Sequence, residues 1–145
     1  MRAIERGVAA GFVGALAMSV STNTEMRLRG RPPSDAPARA IGRIFGVEPG
    51  GRRRKMLLAF GGHVVTSVAL GTARGAMDLA GMRPRPAGAA LLGLALLPEV
   101  VVVPALGASP PPWRWSAYDT FIVVLHHGVY AATTNTVYGR LGARG

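Results

Sequence analysis

The chain contains no cysteine. That excludes a disulfide framework, a thiolate zinc site and a cysteine nucleophile. Charge is scarce: only 17% of the 145 residues are Asp, Glu, Lys or Arg, and just seven are acidic. No glycine-rich nucleotide loop, H-E-x-x-H zinc helix or G-x-S-x-G elbow occurs, so catalysis would have to rest on isolated acids and histidines. The net charge of +10 is not joined by any recognised nucleic-acid motif or set of stacking aromatics, which argues against a nucleic-acid partner.

What the chain does have is apolar length. Gly7 to Thr24 is uncharged, as are Met56 to Ala73 and Thr120 to Gly139; Ala87 to Leu106 is interrupted only by Glu99. A hydrocarbon core of ~30 Å needs roughly 17–25 mostly apolar residues in a helix, so each stretch is long enough to cross once. A soluble bundle would show a polar face opposite an apolar stripe. Here the charges cluster between the stretches instead. The pattern predicts an all-α, four-helix transmembrane bundle in one integral membrane domain, residues 1–145, with spans at about 4–26, 56–80, 87–106 and 117–139. Met1–Arg6, the apolar Gly7–Val20 and Ala15-Leu16-Ala17 also fit a cleavable signal peptide, but three further spans favour an uncleaved first helix.

Helix one carries Gly7, Gly11 and Gly14 with Ala10, a small-residue edge suited to close helix packing. Pro32-Pro33 end that region, and Ser34 or Asp35 starts a short helix with Pro37 in its first turn. Ala38, Ile41, Ile44 and Phe45 fall on one side of it, with Arg39 and Arg43 on the other, which predicts an amphipathic helix at the membrane surface. Arg52, Arg53, Arg54 and Lys55 follow, and each is expected to bind anionic lipid headgroups at ~1 kcal/mol. Counting bases beside the spans gives ten on the side of this loop and six on the other, a bias that places both termini outside. Pro98 and Pro104 are expected to kink helix three, and Trp113, Trp115 and Tyr118 to mark an interface. His63 with Gly71-Thr72 and Gly75, and His127 with Asn135-Thr136 and Gly139, share the pattern H-x7-[GN]-T-x2-G, which suggests two parallel hairpin repeats.

Depth along the helices, at 1.5 Å per residue, sets the site expectation. His63, Glu99, His126 and His127 all fall ~10–15 Å from the loop-rich face, with Ser19 at similar depth and Asn23 shallower. Ionisable groups inside a bilayer are costly and usually face the bundle interior with a partner. A Glu–His set can relay protons, hold a polar ligand or bind a metal; histidines can equally serve helix-to-helix hydrogen bonding. Asp119 shares a face with His126, and adjacent His126 and His127 point about 100° apart. The candidate ligand or proton site is therefore Glu99, His63, His126, His127 and Asp119, with no metal and no cofactor assigned. Arg74 and Asp78, four apart, read as a local structural pair, and Thr133 to Thr136 as a polar stripe for helix packing.

Gly11 to Met18, Arg31-Pro32-Pro33-Ser34, His63 with Gly71 and Gly75, Glu99 with Pro104, Trp113-Arg114-Trp115, and Asp119 with His127 together resemble the YagU-like group of small bacterial inner-membrane proteins. The resemblance implies a compact four-helix protein resident in the bacterial inner membrane, with no assigned enzymatic activity and no substrate. The function expected is non-enzymatic: binding or conducting a small polar solute or protons through the Glu/His layer, with a homo-oligomer compatible. A structural or assembly subunit packed through its glycine faces is the alternative, and an intramembrane metal site or enzyme a third.

Overall fold

Proline and glycine punctuate the chain, and helices fill the space between. The computed structural model describes residues 1–143, and among these the regular structure is entirely helical. Helix α1 (Ala3–Arg29) begins where the Arg2 N–H donates to Glu5, 3.0 Å, and ends at Gly30, whose φ of 62° turns the chain out of the helix. Helix α2 (Ala36–Ile44) starts beside Asp35 with Pro37 in its first turn. Helix α3 (Arg52–Leu79) follows Gly50-Gly51, so Arg52 to Lys55 are its first turn and not a loop leading into it. Helix α4 (Pro84–Leu97) runs on through a π-helical turn, Pro98–Val102, into α5 (Val103–Ala105). Helix α6 (Ala117–Gly142) opens on a capping box: Ser116 Oγ accepts from the Asp119 N–H, 3.0 Å, and Asp119 accepts from the Ser116 N–H, 3.1 Å.

The two prolines of the third apolar stretch do not end it. Pro98 has no N–H to offer and its ring crowds the preceding turn. The π turn accommodates this, with the Val103 N–H donating to the Pro98 carbonyl, and Pro84–Ala105 stays one rod of 22 residues.

Helix α1 is central, packed between α3 and α6, while α4 lies against α6. The α1–α3 contact is glycine on glycine. A Cβ added at Gly11 would stand 2.6 Å from the Ser67 carbonyl oxygen and 2.9 Å from Gly71 Cα, and one at Gly75 would stand 2.6 Å from the Ala3 oxygen. Such approach replaces hydrophobic drive, which lipid cannot provide, with van der Waals contact. Helix α2 closes one end. Its Ala36 and Ala40 pack on Val103 and Ala108, leaving Ile44 and Phe45 exposed. Arg39 donates to the Ala108 carbonyl, 2.8 Å, and Arg43 to the Leu106 carbonyl, so both cations cap the end of α5 instead of extending into solvent.

The distribution of size is inside out. The apolar core consists largely of alanines, among them Ala10, Ala15, Ala87, Ala95 and Ala131, while Phe12, Leu16, Phe60, Val65, Leu97 and Phe121 lie on the outside. Phe60 is 66% exposed and Phe121 60%. In water that would be an apolar patch far beyond what a soluble monomer shows. Ala3–Arg29, Arg52–Leu79 and Pro84–Ala105 are each long and apolar enough to cross a membrane, which is the make-up of a multi-pass membrane protein.

Candidate functional site

Residues four apart lie on one helix face. On α6 the positions His126, Tyr130, Thr134 and Tyr138 follow that spacing, and each is at most 5% exposed. A buried face of an otherwise apolar helix is thus polar at every turn.

Each group on the stripe meets α1 or α3. His126 Nδ1 lies 2.8 Å from Ser21 Oγ. The Tyr130 hydroxyl donates to the Ser67 carbonyl, 3.2 Å, and Thr134 packs against Gly14. The Tyr138 hydroxyl donates to Asp78, 2.8 Å, which also accepts from Arg6, 3.1 Å. Arg74, 2% exposed, donates through Nε to Asn135 Oδ1, 2.8 Å, and its guanidinium lies 4.0 Å from the Tyr138 ring centre. The Asn135 amide in turn donates to the Pro84 carbonyl, 3.0 Å. Beyond His126, towards the loop-rich end, Glu25 accepts from the Tyr118 hydroxyl, 2.7 Å, and from Arg31, 2.9 Å.

Among the described residues four buried side-chain atoms have no hydrogen-bond partner: His126 Nε2, Thr134 Oγ1, Arg74 Nη1 and Arg6 Nε. All four lie on this stripe or against it. Orphaned buried donors and acceptors cost roughly 1–3 kcal/mol each. Their concentration along one line marks it as the least satisfied part of the interior.

The residues expected at the site divide. His63 turns towards α1, with Nε2 3.5 Å from Ser19 Oγ and 3.4 Å from the Ala15 carbonyl, both long contacts. His126 takes the interior position. His127 donates through Nδ1 to the Val123 carbonyl of its own helix, 2.8 Å. Glu99, half-buried in the π turn, makes no hydrogen bond or ion pair with a described residue, and no imidazole reaches it. Asp119 is committed to capping α6, with Ser116 Oγ donating to it at 2.6 Å. No group of three or more His, Asp or Glu side chains among the described residues is placed to hold a metal ion.

Arg52, Arg53 and Arg54 are exposed at the start of α3. Lys55 instead pairs with Asp35, and with Pro33, Pro49, Arg52 and Met56 it lines a cleft of about 660 Å³ between α2 and α3. The Lys55 hydrogen bond holds the Asp35 carboxyl below the usual aspartate range.

Sequence reasoning did not find the stripe, Glu25 or the Arg74 cluster. The i, i+4 recurrence of polar and phenolic residues at 126, 130, 134 and 138 was the available signal. Comparison with known proteins found no family model, no curated protein and no solved structure that matches this chain.

Proposed function

We propose that this is a non-enzymatic protein of the bacterial inner membrane, of the YagU-like type, in which α6 crosses as a fourth span. The polar stripe of α6, facing α1 and α3, would bind or conduct protons or a small polar solute. At 26 residues α6 is about 39 Å long, enough to span, and His126, Tyr130, Thr134 and Tyr138 turn inward while Phe121, Val124 and Leu125 turn outward. The buried run His126, Tyr130, Thr134, Tyr138, with every unpartnered buried polar atom of the described residues beside it, carries this reading. Hydroxyls and an imidazole recur at successive turns, with Glu25 near one end and Asp78 at the other, and groups bridging His126 Nε2 and Thr134 Oγ1 would join them into a proton path.

Purified protein in liposomes carrying an internal pH dye tests it. Wild type should dissipate an imposed pH gradient faster than empty liposomes, and Thr134→Val with His126→Phe should slow that decay while leaving the fold intact. If wild-type liposomes hold the gradient as empty ones do, and retain polar solutes equally well, the reading fails.

Glu99 favours a second reading, an assembly subunit. A carboxylate in a membrane-length helix with no partner among the described residues invites one from a second copy. The glycines of the α1–α3 contact are already occupied within the chain, so an assembly interface would use the α4 face instead. Cross-linking from position 99 to its counterpart in a second copy would support this, and a monomer in every detergent would remove it.

A further inference from the structure

At the terminal end of the bundle, where α1 starts and α3 and α6 finish, two guanidiniums share one ring. Arg74 lies 4.0 Å and Arg6 4.8 Å from the centre of Tyr138. The carboxylate beside them is committed: Asp78 accepts from Arg6 and from the Tyr138 hydroxyl. Arg74, almost wholly buried, receives only the neutral amide oxygen of Asn135. Glu5, the other acid of this end, accepts from the Arg2 N–H at the start of α1. Among the described residues two cations therefore face one anion, and each retains an unused buried N–H, Arg74 Nη1 and Arg6 Nε.

A guanidinium withdrawn from water without a counter-charge is strongly disfavoured. Its planar fork fits the oxygens of a carboxylate or phosphate, where charge-assisted hydrogen bonds are about twice as strong as neutral ones. Arg6 is the outer member, with 20% of its side chain exposed beside the 40% exposed Asp78, so the cluster opens towards the aqueous end and closes on Arg74. Arg83 and Arg85, exposed at the start of α4, add positive potential at the same end.

The geometry points to a binding site for one oxyanion, a carboxylate or phosphate group, held between Arg74 Nη1 and Arg6 Nε over the Tyr138 ring. The group belongs either to a free small anion or to an anionic lipid headgroup. This site stands whether or not anything moves along the stripe.

The test uses the full chain in nanodiscs of phosphatidylcholine or of phosphatidylglycerol, with inorganic phosphate as the soluble probe and chloride at matched ionic strength as control. Wild type should unfold at a higher temperature in phosphatidylglycerol, or as phosphate rises in phosphatidylcholine. The first result identifies a lipid headgroup and the second a free anion. Arg74→Gln should weaken the apparent affinity roughly tenfold or more, the loss of a charge-assisted hydrogen bond. Asn135→Asp places a carboxylate on Arg74 from within, so it should raise the midpoint without any anion and abolish the response. Should Arg74→Gln not fold, Asn135→Asp decides alone. A wild type indifferent to both phosphate and phosphatidylglycerol, or an Asn135→Asp variant that responds as wild type does, overturns the proposal.

Discussion

The two ends of the bundle carry excess positive charge and handle it differently. At the loop-rich end Arg52, Arg53 and Arg54 project outward, Lys55 has Asp35, and Arg39 and Arg43 are satisfied by helix-end carbonyls. At the terminal end Arg6 and Arg74 are drawn inward onto Tyr138, and only Arg6 pairs with a carboxylate, Asp78. Exposed bases can be neutralised by headgroups or solvent at little cost. Buried ones cannot, and both Arg6 Nε and Arg74 Nη1 are left without a partner there. The number of charges at an end thus says less about its chemistry than whether packing removes them from water.

Substitutions that contrast the ends should separate in the same way. The largest difference is expected on α3 itself. Gly75→Leu would drive a side chain into the backbone of Ala3 and Ile4, whereas Gly61, towards the other end, has open space where a Cβ would go. Overpacking of the first kind costs about 1–3 kcal/mol or more. Gly75→Leu should lower detergent-resistant yield sharply, and Gly61→Leu should match wild type.

Next come the two ion pairs. Asp78→Asn leaves Arg6 without its carboxylate and should cost about 2 kcal/mol, less than a fully buried pair because Asp78 is partly exposed. Asp35→Asn should cost less, because solvent screens that exposed pair. Chemical unfolding in mixed micelles compares them, and equal losses would erase the distinction.

The histidines give a smaller contrast. His126→Ala removes the partner of Ser21 from a buried position and should cost about 1–2 kcal/mol, against about 0.5 kcal/mol for His127→Ala, whose bond is to its own helix. The smallest effect is a pH dependence at the loop end. Because Lys55 lowers the Asp35 pKa in the folded state, the pair stabilises the fold above the unfolded aspartate value and loses that contribution as pH falls through the folded one. Acid titration of wild type should therefore show a loss that Asp35→Asn lacks.

The helices were legible because the apolar runs and their proline and glycine boundaries are local signals. So was α1 as a packing helix, since Gly7, Gly11 and Gly14 recur on one face and meet α3 and α6 there. Depth placed Ser19 with His63 at the right level, but depth says nothing about rotation. Glu99 shares that level yet makes no hydrogen bond or ion pair with an imidazole, and it sits in a π turn that a proline count does not reveal. Asp119 shares a face with His126, yet its place three residues after Ser116 commits it to the capping box. Arg74 looked like the partner of Asp78, four residues on, but the long-range contact with Arg6 displaced it. The equivalent positions of the two His-containing helices also differ in use: Gly71 packs on α1, whereas Asn135 holds Arg74.

The account depends most on α6 crossing the bilayer with its polar face inward, and the absence of native cysteine makes a clean labelling experiment available. Single cysteines at Ser34, Gly81, Ser109 and Gly142, probed in sealed membranes with an impermeant thiol reagent, read the topology directly. The account predicts that 34 and 109 label from one side and 81 and 142 from the other. Labelling of 109 and 142 from the same side would contradict it.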